Sequence, residues 1–60
     1  MHRLRELRKQ KVLSLHELEE KSGISYATIH RLEHAKTSAH PKTIRKLAEA
    51  LGVDPSELLK

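Results

Sequence analysis

The chemistry within reach of this chain is concentrated in the stretch from Ser25 to Lys36, SYATIHRLEHAK. Its side chains are hydroxyls, imidazoles and cations: Ser25, Tyr26, Thr28, His30, Arg31, His34 and Lys36, with Glu33 the one acid. A guanidinium presents a planar fork of donors that matches paired acceptors on a phosphate, a carboxylate or the O6 and N7 of guanine. Arg31 is therefore the candidate reader of a guanine. The methyl of Ala27 is the size that meets a thymine methyl. His30 and His34 stand four apart, a spacing that in some zinc sites supplies two ligands on one helical face. A structural or catalytic zinc needs three or four ligands, and no third partner of suitable geometry accompanies them. No metal is expected; two exposed histidines near phosphates is the simpler account.

Nucleophilic catalysis has no foothold. There is no cysteine and no glycine-rich phosphate loop. Ser14 and Ser25 stand where helix caps stand, which explains them better than a nucleophilic role. The chain is expected to be no enzyme, to need no cofactor and to take no small-molecule substrate.

Side chains with these spacings need a scaffold, and the scaffold reads as all-helical. Strand-favouring residues are sparse and never alternate over a useful length. The first helix is expected from about His2 to Gln10, with Leu4 and Leu7 inward, followed by a hinge at Val12 and Leu13. Ser14-Leu15-His16-Glu17 has the form of a capping box that opens a second helix. Gly23 can take the left-handed conformation that closes it. Ser25 is the N-cap of a third helix from Tyr26 to about His34. Helix, short glycine-containing turn, helix is the helix-turn-helix unit. A polar loop from Ala35 to Ala39 leads to a fourth helix with Pro41 at its first position. Ile44, Leu47, Ala48 and Leu51 form its apolar stripe, and Gly52 ends it. Asp54-Pro55-Ser56-Glu57 is a further cap, opening a last short turn of helix with Leu58 and Leu59.

At 100° per residue, Ile29 and Leu32 of the third helix point one way, and Ala27, His30, Arg31 and His34 the other. Tyr26 lies on the flank at the N-terminal end. The expected core is Leu4, Leu7, Leu13, Leu18, Ile24, Ile29, Leu32, Ile44, Leu47, Ala48 and Leu51. The aromatic set contributes only Tyr26, so aliphatic side chains must fill it.

Sixty residues make one domain, residues 1–60. The formal net charge is +4, in two basic patches. Arg3, Arg5, Arg8, Lys9 and Lys11 crowd the start; Arg31, Lys36, Lys42, Arg45 and Lys46 crowd the third and fourth helices. The segment between is acidic through Glu17, Glu19 and Glu20. Such a layout suits a phosphate backbone. No apolar run approaches the roughly 18 residues of a membrane helix. The start, MHRLRELRKQK, lacks the apolar stretch of a signal peptide. A cytoplasmic placement is expected.

Leu13 to Lys36 resembles the helix-turn-helix of the Cro and phage-repressor (XRE-type) family. The matching residues are Leu13-Ser14, Glu17-Leu18, Gly23, Ser25, Thr28-Ile29, Arg31, Glu33 and Lys36; TIRKLAEALGVDPSELL resembles the family's usual ending. The resemblance implies a five-helix, lambda-repressor-like fold with the third helix in the major groove of double-stranded DNA, in a transcriptional regulator of repressor type. It places base-reading positions on Tyr26, Ala27 and Arg31, with Ser25 beside them. Thr28 and His34 match positions that touch phosphate, and Lys36 a basic residue of the following loop. Arg8 matches a first-helix arginine that pairs with the glutamate found here as Glu33.

Three positions depart from the family pattern. Leu15 replaces a glutamine that bonds a phosphate, leaving the helix amides and dipole for that task. Glu19 stands where a small residue faces the turn. His34-Ala35 stands where Asn-Gly supplies a left-handed cap. Relatives pair on two half-sites with recognition helices about 34 Å apart. Here a monomer or weak dimer in solution is expected, pairing as a weak homodimer on DNA or through a further C-terminal domain, with Leu58 and Leu59 as apolar contacts. The contrasting reading is an antitoxin or adaptor module whose main partner is another protein.

Overall fold

The computed structural model describes residues 1–35 and 39–60. Among them run four α-helices, α1 (His2–Gln10), α2 (Leu15–Ser22), α3 (Tyr26–His34) and α4 (Pro41–Leu51), and a closing 3-10 segment, Pro55–Leu59. No strand occurs among the described residues. The last element is wound as a 3-10 turn rather than an α-helix. Asp54 caps it through Ser56, whose N–H donates to Asp54 Oδ1 at 2.9 Å. Glu57 does not close a reciprocal box there, because its carboxylate is engaged by Lys60 and Arg3.

Each chain reversal has a local cause. Ser14 Oγ accepts from the Glu17 N–H at 3.0 Å, and Glu17 Oε1 accepts from the Ser14 N–H at 2.9 Å, a complete capping box. Gly23 ends α2 at φ +76°, its N–H donating to the Glu19 carbonyl at 2.8 Å. A Cβ at Gly23 would meet nothing within 4 Å, so the backbone angle and not space demands glycine. The hinge after α1 is built differently. Val12 takes φ +55°, its N–H donates to the Lys9 carbonyl, and the Leu13 N–H donates to the Arg8 carbonyl. These two bonds make a Schellman closure with a β-branched residue in the position that glycine usually holds.

The core is one cluster of Leu4, Leu7, Leu18, Ile29, Leu32, Ile44, Leu47, Ala48, Leu51 and Leu58. Leu13 and Ile24 are half-buried and pack against this cluster instead of lying within it, because both sit in the reversals that flank α2. Leu58 corrects the expectation that it is an interface contact. It is 2% exposed, since the 3-10 segment packs on both α1 and α4 and delivers Leu58 to the core. Leu59, on the opposite side, is 61% exposed.

α3 ends without a left-handed residue: Ala35 is extended at φ −83° and ψ 151°. Its terminal carbonyls find another donor. The Met1 amino group donates to the Leu32 carbonyl at 2.8 Å and to the Ala35 carbonyl at 2.6 Å. A cation at a helix C-terminus is also favoured by the helix dipole.

Candidate nucleic-acid interface

α3 sorts its residues cleanly. Ile29 and Leu32 are buried, while Tyr26, Ala27, His30, Arg31 and His34 are exposed and Thr28 is half-buried. Ser25 begins the helix; its Oγ accepts from the Thr28 N–H at 3.3 Å and donates to Thr28 Oγ1 at 3.0 Å. The Ser25 hydroxyl is thus largely spent on the cap, whereas the Thr28 O–H remains able to donate outward. Lys36 lies outside the described residues.

The acid of α3 does not share this face. Glu33 is buried, and its two oxygens accept from Arg8 Nε at 2.5 Å and Arg8 Nη2 at 3.0 Å. Arg8 Nη1 donates to the Leu13 carbonyl at 2.9 Å. One guanidinium therefore joins α1, the hinge before α2 and α3. The hydrogen bond to Glu33 raises the Arg8 pKa above its ordinary value. The exposed face of α3 is left without a carboxylate, and Arg31 has no ion-pair partner among the described residues.

Arg31 and Thr28 also line a shallow groove that continues across Ala35 and Ala39 to His40, Pro41 and Thr43 at the start of α4. Its lining mixes the Arg31 guanidinium and the Thr28 and Thr43 hydroxyls with the apolar Leu32 and Pro41. On the same helix, the rings of His30 and His34 lie 4.5 Å apart and tilted by 55°. No group of three metal-binding side chains occurs among the described residues.

At the start of α2 the capping box occupies the amides of Ser14 and Glu17 and sets the Glu17 carboxylate beside them. Leu15, half-buried, packs against the core. This helix N-terminus is consequently less receptive to an anion than the bare dipole implies, because a carboxylate already sits there. Glu19 is partly exposed, its Oε1 3.8 Å from His16 Nδ1. The side chain turns outward, so the α2–α3 turn closes over Gly23 without obstruction.

One neighbour of the site was not apparent from the sequence. His16, from α2, lies with its ring centroid 4.3 Å from that of Tyr26. No periodicity links the two residues; only the turn through Gly23 brings them together.

The described residues thus form a helix-turn-helix whose second helix turns an acid-free, cationic face to solvent. A helix-turn-helix family model matches residues 4–58, and the chain belongs to that family. It is similar to two proteins of Bacillus subtilis (strain 168). The HTH-type transcriptional repressor RghR is 45% identical over 51 residues, covering 83% of this chain and 38% of its own. The uncharacterized HTH-type transcriptional regulator RghRB is 44% identical over 57 residues, covering 93% of this chain and 41% of its own. The chain thus spans about two fifths of the length of each. No helix among the described residues is long and apolar enough to cross a membrane.

Proposed function

We propose that residues 1–60 are the DNA-binding domain of a transcriptional regulator, reading double-stranded DNA sequence-specifically with α3 in the major groove. The observation that carries this reading is the division of α3. Its outward face bears Tyr26, Ala27, His30, Arg31 and His34, while Glu33 is turned inward and neutralised by Arg8. A helix with its only acid hidden is matched to an anionic surface.

In this reading Arg31 pairs with guanine and Ala27 meets a thymine methyl. Tyr26, at the helix start, reaches base edges first. Ser25 orders that start, Thr28, His30 and His34 address phosphates, and Lys36 adds a further cation toward them. The arrangement is lambda-repressor-like, with the 3-10 segment standing as the fifth helix. Repression is the mode favoured by the similarity to RghR, which is named a repressor. A cytoplasmic setting accompanies the reading. Pairing on DNA as a weak homodimer would draw on Leu59, the apolar residue of the last segment that remains exposed. No cofactor and no catalysis enter.

Selection of bound sequences from a random DNA pool tests the proposal. A defined site should be enriched, and affinity for it should fall linearly in log–log form with salt, by a slope of about 0.9 per phosphate contacted. No enrichment, with salt-independent capture of a protein partner, would instead make this an antitoxin or adaptor module.

A further inference from the structure

The turn between α2 and α3 brings two rings from different helices into contact at the edge of the proposed reading face. Tyr26 is the first residue of α3 and His16 the second of α2. Their centroids lie 4.3 Å apart with the planes inclined by 40°. Burial does not drive this contact, since Tyr26 is 46% exposed and the His16 side chain 73% exposed. On the same helix, Glu19 Oε1 lies 3.8 Å from His16 Nδ1. The imidazole of His16 thus links α2 to the start of α3.

An exposed tyrosine at a helix start would ordinarily sample several χ1 wells. A ring packed against one face removes some of them before any ligand arrives, and ordering a side chain in advance strengthens the contact it later makes. We propose that His16 is a positioning residue for sequence reading: it holds the Tyr26 ring in the conformation in which that ring meets the base edges, a role that rests on the DNA-binding reading above. Arg31 and Ala27 lie further along α3 and do not depend on it. Sequence preference should accordingly be sensitive to His16 at the base facing Tyr26 and nowhere else.

The test is a double-mutant cycle of His16→Ala and Tyr26→Ala, with His16→Phe as the variant that keeps a ring. Affinities are measured on the selected duplex and on its single-base variants. His16→Ala should reduce the preference at one base by about threefold to tenfold. His16→Phe should retain most of it, and His16→Ala should have no further effect once Tyr26 is alanine. In the free protein, His16→Ala should shift the Tyr26 ring-proton resonances, and His16→Phe should not release them. If His16→Ala weakens all duplexes alike, and does so equally in the Tyr26→Ala background, His16 touches phosphate itself and the positioning role is overturned. Unmoved Tyr26 resonances would overturn it as well. Failure of the unsubstituted chain to bind any duplex would sink the DNA-binding reading, and the positioning role with it, whatever the resonances show.

Discussion

Arg8 and Glu33 meet at two points, Nε on Oε2 and Nη2 on Oε1, with the Glu33 side chain 1% exposed and that of Arg8 13% exposed. The pair lies behind the outward face of α3 and fixes how that helix is presented. It also removes the one negative charge of α3 from the side that faces solvent. A buried ion pair adds little net stability relative to apolar packing, but breaking it from one side leaves a charge stranded.

Arg8→Ala should therefore destabilise the chain by about 3–5 kcal/mol. Arg8→Lys should do less harm, since it keeps the charge and loses the two-point geometry. Urea denaturation followed by helical circular dichroism measures both. A loss below about 1 kcal/mol for Arg8→Ala, the value of a surface pair, would show that the two side chains are not joined in solution.

Leu58 and Leu59 are neighbours with opposite surroundings, 2% and 61% exposed. Leu58→Ala should cost about 2–5 kcal/mol as a buried large-to-small change. Leu59→Ala should stay within about 0.5 kcal/mol, as exposed substitutions do. Thermal melts of the two variants decide it; similar losses would mean that the 3-10 segment does not seat Leu58 in the core.

Val12 stands at φ +55° and is 85% exposed. The left-handed conformation costs an L-residue about 1–2 kcal/mol, and no packing repays it here. Val12→Gly should raise stability by up to about 1.5 kcal/mol after the entropy of glycine is set against it. A melting temperature that rises by several degrees is the expected outcome. A fall would show that the valine side chain is held by contacts that the exposed hinge does not display.

Much of this was readable from residue types alone. The capping box at Ser14 and Glu17, the left-handed Gly23 and the N-cap at Ser25 are local devices, so they announced α2, the turn and α3. The apolar spacing of Ile44, Leu47, Ala48 and Leu51 likewise fixed which side of α4 lies inward. What could not be read is what closes from afar. The left-handed cap missing at Ala35 is answered by the Met1 amino group, a contact made only once α1 has docked on α3. The pairing of His16 with Tyr26 depends on how the turn sets two helices. An apolar residue such as Leu58 looks the same in sequence whether it covers the core or awaits a partner.

Three carboxylates contribute to the response to acid. Glu17 is held below the usual range by the Ser14 N–H, Asp54 by the Ser56 N–H, and Glu57 by Lys60 and, less strongly, Arg3. Each binds its proton more weakly in the folded chain than in the unfolded one. Their stabilisation is complete above the unfolded carboxylate range and is lost as pH falls through the lowered folded values. The melting temperature should therefore drop on acidification from neutral pH to about 3, a span that takes in ordinary carboxylate titration. Glu17→Gln retains a capping amide and should make that drop shallower. An unchanged profile would mean that the cap does not favour the charged form.

In the proposed complex Arg31 reads a base. The direct measurement is titration of Arg31→Ala against the selected duplex and a scrambled one at several salt concentrations. The predicted result is a loss of about 1–3 kcal/mol on the selected duplex, relaxed choice at a single base, and little change on the scrambled one. An equal loss on both duplexes, with the salt slope reduced by about one unit, would contradict it and make Arg31 a phosphate contact.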